Sequence, residues 1–228
     1  MKYFFIDLFD FFLPRFCPSC NNKLLNNEIS VCQKCISSIE LADQTRIDFE
    51  YDKKFAAQKV ISGFTSLYVF EKDKELQEIL HHFKYNRRFR IGITLGIKTA
   101  IIRRQTISDW NIDLIIPVPL HHLKKAERGY NQSHYIAKGL SKTLIIPTKE
   151  KSLKRIRYTE SQTLKNITDR ELNVKNAFTV KNKKRVKGKN ILLVDDVITT
   201  GATISECARQ LLKCGAKKIY AISVAIAD

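Results

Sequence analysis

The sequence predicts an α/β protein: a mostly parallel sheet flanked by helices, with a small cysteine module in front. Three observations carry this. Apolar runs at Ile61–Phe70, Ile112–Val118, Ile191–Val194 and Lys217–Ala225 have strand length and turn signals at their ends. Stretches with helical spacing separate them. Four clustered cysteines precede all of it.

Taken in order, Met1 to Pro14 is aromatic, but Asp7 and Asp10 interrupt its apolar run and no small-x-small cleavage pattern precedes Cys17. It reads as a short amphipathic helix stopped at Pro14, packed on the protein or lying on a membrane surface. Cys17-x2-Cys20 and Cys32-x2-Cys35 follow, divided by an eleven-residue, Asn-rich loop. Two such knuckles close around one tetrahedral Zn²⁺, with no open position for catalysis. Two disulfides are the rival reading, disfavoured because no export signal is visible and cytosolic thiols stay reduced. The expected division is 1–45 for helix and zinc module and 46–228 for the α/β domain. Residues 40–58 are polar, lack a pattern and read as a connector.

Ile61–Phe70 is expected as an edge strand. Leu76, Ile79, Leu80 and Phe83 are spaced i, i+3, i+4, i+7, an amphipathic helix on which His81 and His82 need no metal. Lys84, Tyr85, Arg87, Arg88, Phe89 and Arg90 then alternate cations with aromatics. They can track a phosphate backbone and stack bases, or simply complement a helix end. Helical periodicity resumes over Ile91–Ile102. After the strand Ile112–Val118, the segment Leu120–Gly129 reads as a basic loop with Lys124, Lys125, Arg128 and Gly129, and Asn131–Leu144 as a helix.

The acidic turn organises the rest. Ile191–Val194 reads as a buried strand ending at Asp195 and Asp196; Thr199, Thr200, Gly201, Ala202 and Thr203 are all small; Ile204, Ala208, Leu211 and Leu212 then share a helical face closed at Gly215. Ligands of open α/β sheets bind beyond the carboxyl ends of strands. A small-residue loop entering a helix offers N–H groups and a positive dipole end to a phosphate. Paired carboxylates beside it suit sugar hydroxyls or water-shelled Mg²⁺. The predicted ligand is therefore a sugar phosphate. Neither Gly-x4-Gly-Lys-Ser/Thr nor Gly-x-Gly-x-x-Gly occurs, so this is neither a Walker nor a dinucleotide loop. Cys207 and Cys214 lie in the last helix and read as small apolar residues.

Val194–Thr203 resembles the phosphoribosyl pyrophosphate (PRPP) signature of type I phosphoribosyltransferases. Pro117-Val118-Pro119-Leu120-His121, Arg128-Gly129-Tyr130-Asn131-Gln132-Ser133, the block Leu153–Leu164 with Arg170, Asn173 and Phe178, and the opening Leu13-Pro14-Arg15-x-Cys17 together resemble the ComF/ComFC family of competence proteins, relatives of the amidophosphoribosyltransferases. The resemblance implies a type I phosphoribosyltransferase-like fold. In it the ribose diol and Mg²⁺ fall to Asp195 and Asp196, and the 5′-phosphate to Thr199–Thr203. Pyrophosphate falls to the loop with Lys124, Lys125, Arg128 and Gly129, and the region after Leu153 is a mobile one that closes over the ligand.

Lys and Arg number 40 against 23 Asp and Glu, a net charge of +17, which favours nucleic acid or anionic metabolites. No apolar run reaches membrane-spanning length. The resemblance implies a cytoplasmic protein needed for natural transformation that handles incoming single-stranded DNA, alongside other DNA-uptake proteins. Lys84–Arg90 and Lys149–Arg157, with Lys154, Arg155 and Arg157, are the nucleic-acid candidates; Lys181–Lys189 reads as a solvated turn between strands. An active transferase joining PRPP to a nitrogen acceptor is the alternative, and an adaptor with a vestigial pocket is the third. No stretch identifies the acceptor.

Overall fold

A computed structural model describes residues 14–72, 74–158 and 174–227. The N-terminal helix expected before Pro14, and Thr159–Leu164, Arg170 and Asn173 of the closing region, lie outside the described residues.

The main sheet has four strands, β1 (Gly63–Val69), β2 (Leu114–Pro117), β5 (Asn190–Ile198) and β6 (Lys218–Ile226), in the order β1-β6-β5-β2. All pairings are parallel. A separate antiparallel pair, β3 (Leu153–Arg155) and β4 (Phe178–Val180), stands beside it. β1 is an edge strand, as expected, and Leu41 caps that edge with one antiparallel bridge to Tyr68.

Successive side chains of a strand face opposite ways, and the central strands use both faces. Leu192 and Val194 pack with Ile115, Ile222 and Val224 on one side. Ile191 and Leu193 pack with Leu114, Ile116, Ile219 and Ala221 on the other. Helices cover both layers, which is why these strands read as unbroken apolar runs.

On the first face lie α1 (Gln33–Ser38), α3 (Glu75–Tyr85), α4 (Arg90–Ile102) and α7 (Gln132–Leu144). Leu76, Ile79, Leu80 and Phe83 of α3 are all buried, as their spacing requires. Glu75 and Glu78 in the first turn and Lys84 in the last suit the helix dipole. α4 and α7 cross at Gly96 and Gly139: a Cβ on Gly96 would lie 2.1 Å from Ile136 O, and one on Gly139 2.4 Å from Ile93 O.

On the second face lie α2 (Gln44–Lys54) and α8 (Ala202–Lys213), with Ile47 and with Ile204, Cys207, Ala208 and Leu211 inward. Cys207 is buried among apolar groups, as expected; Cys214 is the C-cap of α8 and only partly covered. The short helices α5 (Arg104–Asp109) and α6 (His122–Arg128) precede and follow β2 in the chain.

Three expectations change. The stretch 40–58 is not a bare connector: Gln44–Lys54 is helical, capped by Asp43 Oδ1 accepting from Arg46 N at 2.7 Å. Its polar sequence hides a buried Glu50 held between Arg46, at 2.8 Å, and Lys54. The basic segment expected as a loop contains α6, closed by Gly129 at φ +80°. The strand expected to end at Val194 continues through both acids to Ile198, with Asp195 opposite Ser223 and Val197 opposite Ala225.

The cysteine module packs on the first face, where Cys17, Leu24, Val31, Cys32, Cys35 and Ile36 continue the core. Tyr68 donates from its hydroxyl to Ile36 O at 3.3 Å, and Arg88 from Nη1 to Phe16 O at 2.9 Å.

Candidate functional site

The site lies at the carboxyl ends of β2 and β5. Asp195 Oδ1 accepts from Ser133 Oγ at 2.9 Å and from the Asp196 N–H at 3.0 Å. Asp196 Oδ1 accepts from its neighbour's N–H on Val197 at 2.8 Å, and Oδ2 lies 3.2 Å from Lys84 Nζ. Their environments diverge. Burial, then the adjacent Asp196 charge, pushes the Asp195 carboxyl up to about 7. Burial acts on Asp196 too, but Lys84, the Val197 N–H and Arg128 outweigh it and hold that carboxyl below the usual range. One acid thus stays ionised beside a partner that titrates near neutrality, an arrangement frequent where proton or cation chemistry occurs.

The small-residue turn follows. Gly201 is the N-cap of α8 at φ +75° and brings no side chain to its N–H groups. The Ala202 N–H makes a long 3.5 Å bond with Thr200 Oγ1. This leaves a helix N-terminus whose own donors suit an anion. The glycine is required twice over. Its φ excludes most side chains, and a Cβ would sit 2.7 Å from the ring of Phe55. Thr199 is exposed and Thr200 and Thr203 are partly covered.

Cations gather from three elements. Arg128, at the end of α6, donates to Gln132 Oε1 at 3.1 Å, lies 5.5 Å from the Tyr85 ring centre and bears electrostatically on Asp196. Arg155 is half-buried over the Phe178 ring at 5.4 Å, in the field of Asp195. Lys124 is partly covered; burial, then Arg155 and Arg128, holds its ammonium below the usual range. Lys125 goes elsewhere, to Glu150 at 3.7 Å, where His134 also contacts the carboxylate at 3.4 Å. Arg87 adopts φ +54°, and its Nε would lie 3.5 Å from a Cβ on Gly129.

The nucleic-acid candidates therefore divide. Lys84 and Arg155 stand at the acidic site, and Arg88 ties the cysteine module to the α3–α4 turn. Tyr85, Arg90 and Lys154 are exposed, and Arg157 donates to Lys175 O at 2.8 Å. Lys183–Arg185 forms the solvated turn expected between β4 and β5. Sequence reasoning gave Ser133 no role, although it sits inside the motif Arg128–Ser133; only the fold shows its hydroxyl on Asp195.

The four thiols form the second centre. Their Sγ atoms lie within 4.8 Å of one another, and Cys20 and Cys32 approach to 3.7 Å. Ligands at ~2.3 Å around a tetrahedral ion stand ~3.8 Å apart. The Cys32 and Cys35 N–H groups point at Cys17 Sγ and Cys32 Sγ, at 3.5 and 3.4 Å. All six cysteines are free. A soft, thiol-only donor set of this size fits Zn²⁺.

Parallel order, two acids near the carboxyl end of the central strand and a small turn into the next helix place the chain in the type I phosphoribosyltransferase-like class. Residues 131–227 match the family described as Phosphoribosyl transferase domain. The chain is 30% identical over 213 residues to Competence protein F of Haemophilus influenzae, covering 89% of this chain and 93% of that one. It is 33% identical over 147 residues to the DNA utilization protein YhgH of Escherichia coli strain K12, covering 63% and 64%. It is 28% identical over 199 residues to Competence protein ComFC of Bacillus subtilis, covering 87% and 78%. The chain belongs to the ComF/ComFC family. Among the described residues, no helix is long and apolar enough to cross a membrane.

Proposed function

We propose that this protein acts in natural competence as a cytoplasmic handler of single-stranded DNA that retains a PRPP site. The observation that carries the reading is the union of Asp195 and Asp196 with an α8 N-terminus lacking a side-chain N-cap. That pair suits a ribose diol and a phosphate, and the names of the relatives point to DNA. The 5′-phosphate sits on Thr199–Thr203, the diol and a hydrated Mg²⁺ on the acids, and the pyrophosphate against Lys124, Arg128 and Gly129. Mg²⁺ would supply charge neutralisation of the diphosphate. Lys84 already occupies one oxygen of Asp196, so the cation and Lys84 share that carboxylate or exchange on it. Zn²⁺ on Cys17, Cys20, Cys32 and Cys35 is structural, in a module spanning 1–45 ahead of the domain 46–228. DNA-uptake proteins are the expected macromolecular neighbours.

The test is anisotropy of a labelled single-stranded oligonucleotide titrated with zinc-loaded protein across salt, with and without PRPP and Mg²⁺. Affinity should fall with salt at a log–log slope of about −0.7 per phosphate contacted. Salt-insensitive or undetectable binding removes the DNA reading.

An active transferase is the second reading. It is favoured by the Asp195 carboxyl, which titrates near 7 beside the ribose position and could move a proton at neutral pH. Steady pyrophosphate release from PRPP with a nucleobase or ammonia would establish it.

A further inference from the structure

A cleft of about 340 Å³ opens between the cysteine module and the α3–α4 turn. Its apolar surface comes from both sides: Phe16 and Ile29 from the module, Phe89 from the turn. These are among the more exposed large apolar residues of the chain, at 41%, 55% and 41%. Singly, such residues need no explanation. Here they converge on one concavity, and among the described residues its rim includes Arg15, Arg87, Arg88 and Arg90 and no carboxylate.

The two walls are tied together. Arg88 Nη1 bonds Phe16 O, and Ser30 Oγ bonds Thr94 Oγ1 at 2.9 Å, joining the module to α4. Phe89 is backed by Tyr135 at 5.0 Å between ring centres. One wall of the cleft also leads to the acidic site. The turn that forms one wall starts at Lys84, which holds Asp196, and passes through Arg87, which reaches Gly129.

We propose that this cleft seats unpaired bases of a DNA single strand, with base faces on Phe16 and Phe89 and flanking phosphates on the arginines. The inference rests on the single-strand reading above and adds where the strand lies. Two features select the occupant. Aromatic faces inside a cationic rim bind any base by its face, the mode of sequence-tolerant single-strand proteins. Duplex bases present edges rather than faces, and a cleft this small admits a base and not a stacked helix. The cysteine module is then half of the binding surface, and the strand runs past the PRPP position.

The experiment uses the full, zinc-loaded chain and compares labelled oligothymidylate with a duplex of equal length. Phe16→Ala and Phe89→Ala should each weaken single-strand affinity about fivefold or more, while Phe16→Trp keeps it. Arg90→Gln, on the exposed start of α4, should make the salt slope shallower by about 0.7 if it loses one phosphate. Duplex affinity and PRPP binding by calorimetry should not move. Zinc content and thermal midpoint verify that each variant folds. Unchanged single-strand affinity in Phe16→Ala, Phe89→Ala and Arg90→Gln, with tight binding by the parent, overturns the cleft and leaves the single-strand reading standing. No binding by the parent removes that reading and the cleft with it.

Discussion

Lys84 Nζ lies 3.2 Å from Asp196 Oδ2, so the last turn of α3 supplies a cation to the second acid of β5. Both side chains are largely covered, at 25% and 15% exposure. A partly buried pair is coupled more strongly than a surface one. A double-mutant cycle with Lys84→Met and Asp196→Asn, read by urea unfolding, should return a coupling of about 1–2 kcal/mol. A coupling of zero would show that the two groups do not interact in solution.

Gly201→Ala adds a methyl group at φ +75° into the Phe55 ring. Strain and overpacking together should cost about 1–3 kcal/mol. The turn that begins α8 should shift, so PRPP affinity falls along with stability. Full stability in the alanine variant would mean that Phe55 yields freely.

Removing zinc should unfold the cysteine module and spare the sheet. Thiolate–metal bonds supply much of the folding energy of such modules, whereas the sheet has its own two-sided core. Chelation should release about one zinc per chain, abolish single-strand binding and leave PRPP binding measurable. Cys17→Ser should mimic the chelated state. Retention of the ribbon without metal, seen as unchanged protection of the Cys32 and Cys35 amides, would contradict this.

Asp113 sets a pH dependence. Its carboxylate accepts from Asn190 N at 2.8 Å and from Lys189 Nζ at 3.3 Å, tying the start of β2 to β5. The Asn190 N–H, foremost, holds its folded pKa below the ordinary 3.8. A lowered carboxylate pKa stabilises the fold above the unfolded value and loses that contribution as pH falls through the folded value. Asp113→Asn should therefore cost at most about 1 kcal/mol at pH 7, given the exposure of the pair. As the pH falls from 7 the difference from the parent should shrink, and at a pH below the folded value it should vanish. An equal difference at both pH values would assign the loss to packing instead.

Glu50 is fully buried between Arg46 and Lys54, and Lys54 also donates to Ala227 O at 3.1 Å. Glu50→Ala should destabilise by about 3–5 kcal/mol, because it strands a buried ammonium. Glu50→Ala with Lys54→Met should recover part of that in thermal melts.

What could be read from residues alone follows a physical line. Ile191–Val194 and the i, i+3, i+4, i+7 stripe of α3 announce themselves because burial is written in apolar periodicity. The Thr199–Thr203 turn is legible because small residues and a glycine have few other uses beside two acids. The end of β5 is not, because carboxylates look like a strand terminus when ladder partners such as Ser223 are unknown. α2 is hidden because its buried residues include Glu50 and Lys54, which satisfy each other. Charge clusters show their sign but not their destination: Lys84 goes to Asp196, Lys125 to Glu150 and Arg88 to Phe16 O. Ser133 illustrates the same limit, since only the docking of α7 brings its hydroxyl to Asp195.

The crossing of α4 and α7 has an evolutionary consequence. At Gly96 and Gly139 a methyl group would collide with main-chain carbonyls that have nowhere to go. Neither position can drift even to alanine unless the two helices separate, and separating them would pull Ser133 from Asp195 and the basic turn from the cysteine module. Among relatives that keep this helix pair, both sites should be invariant glycine, even where the surrounding helix faces diverge freely.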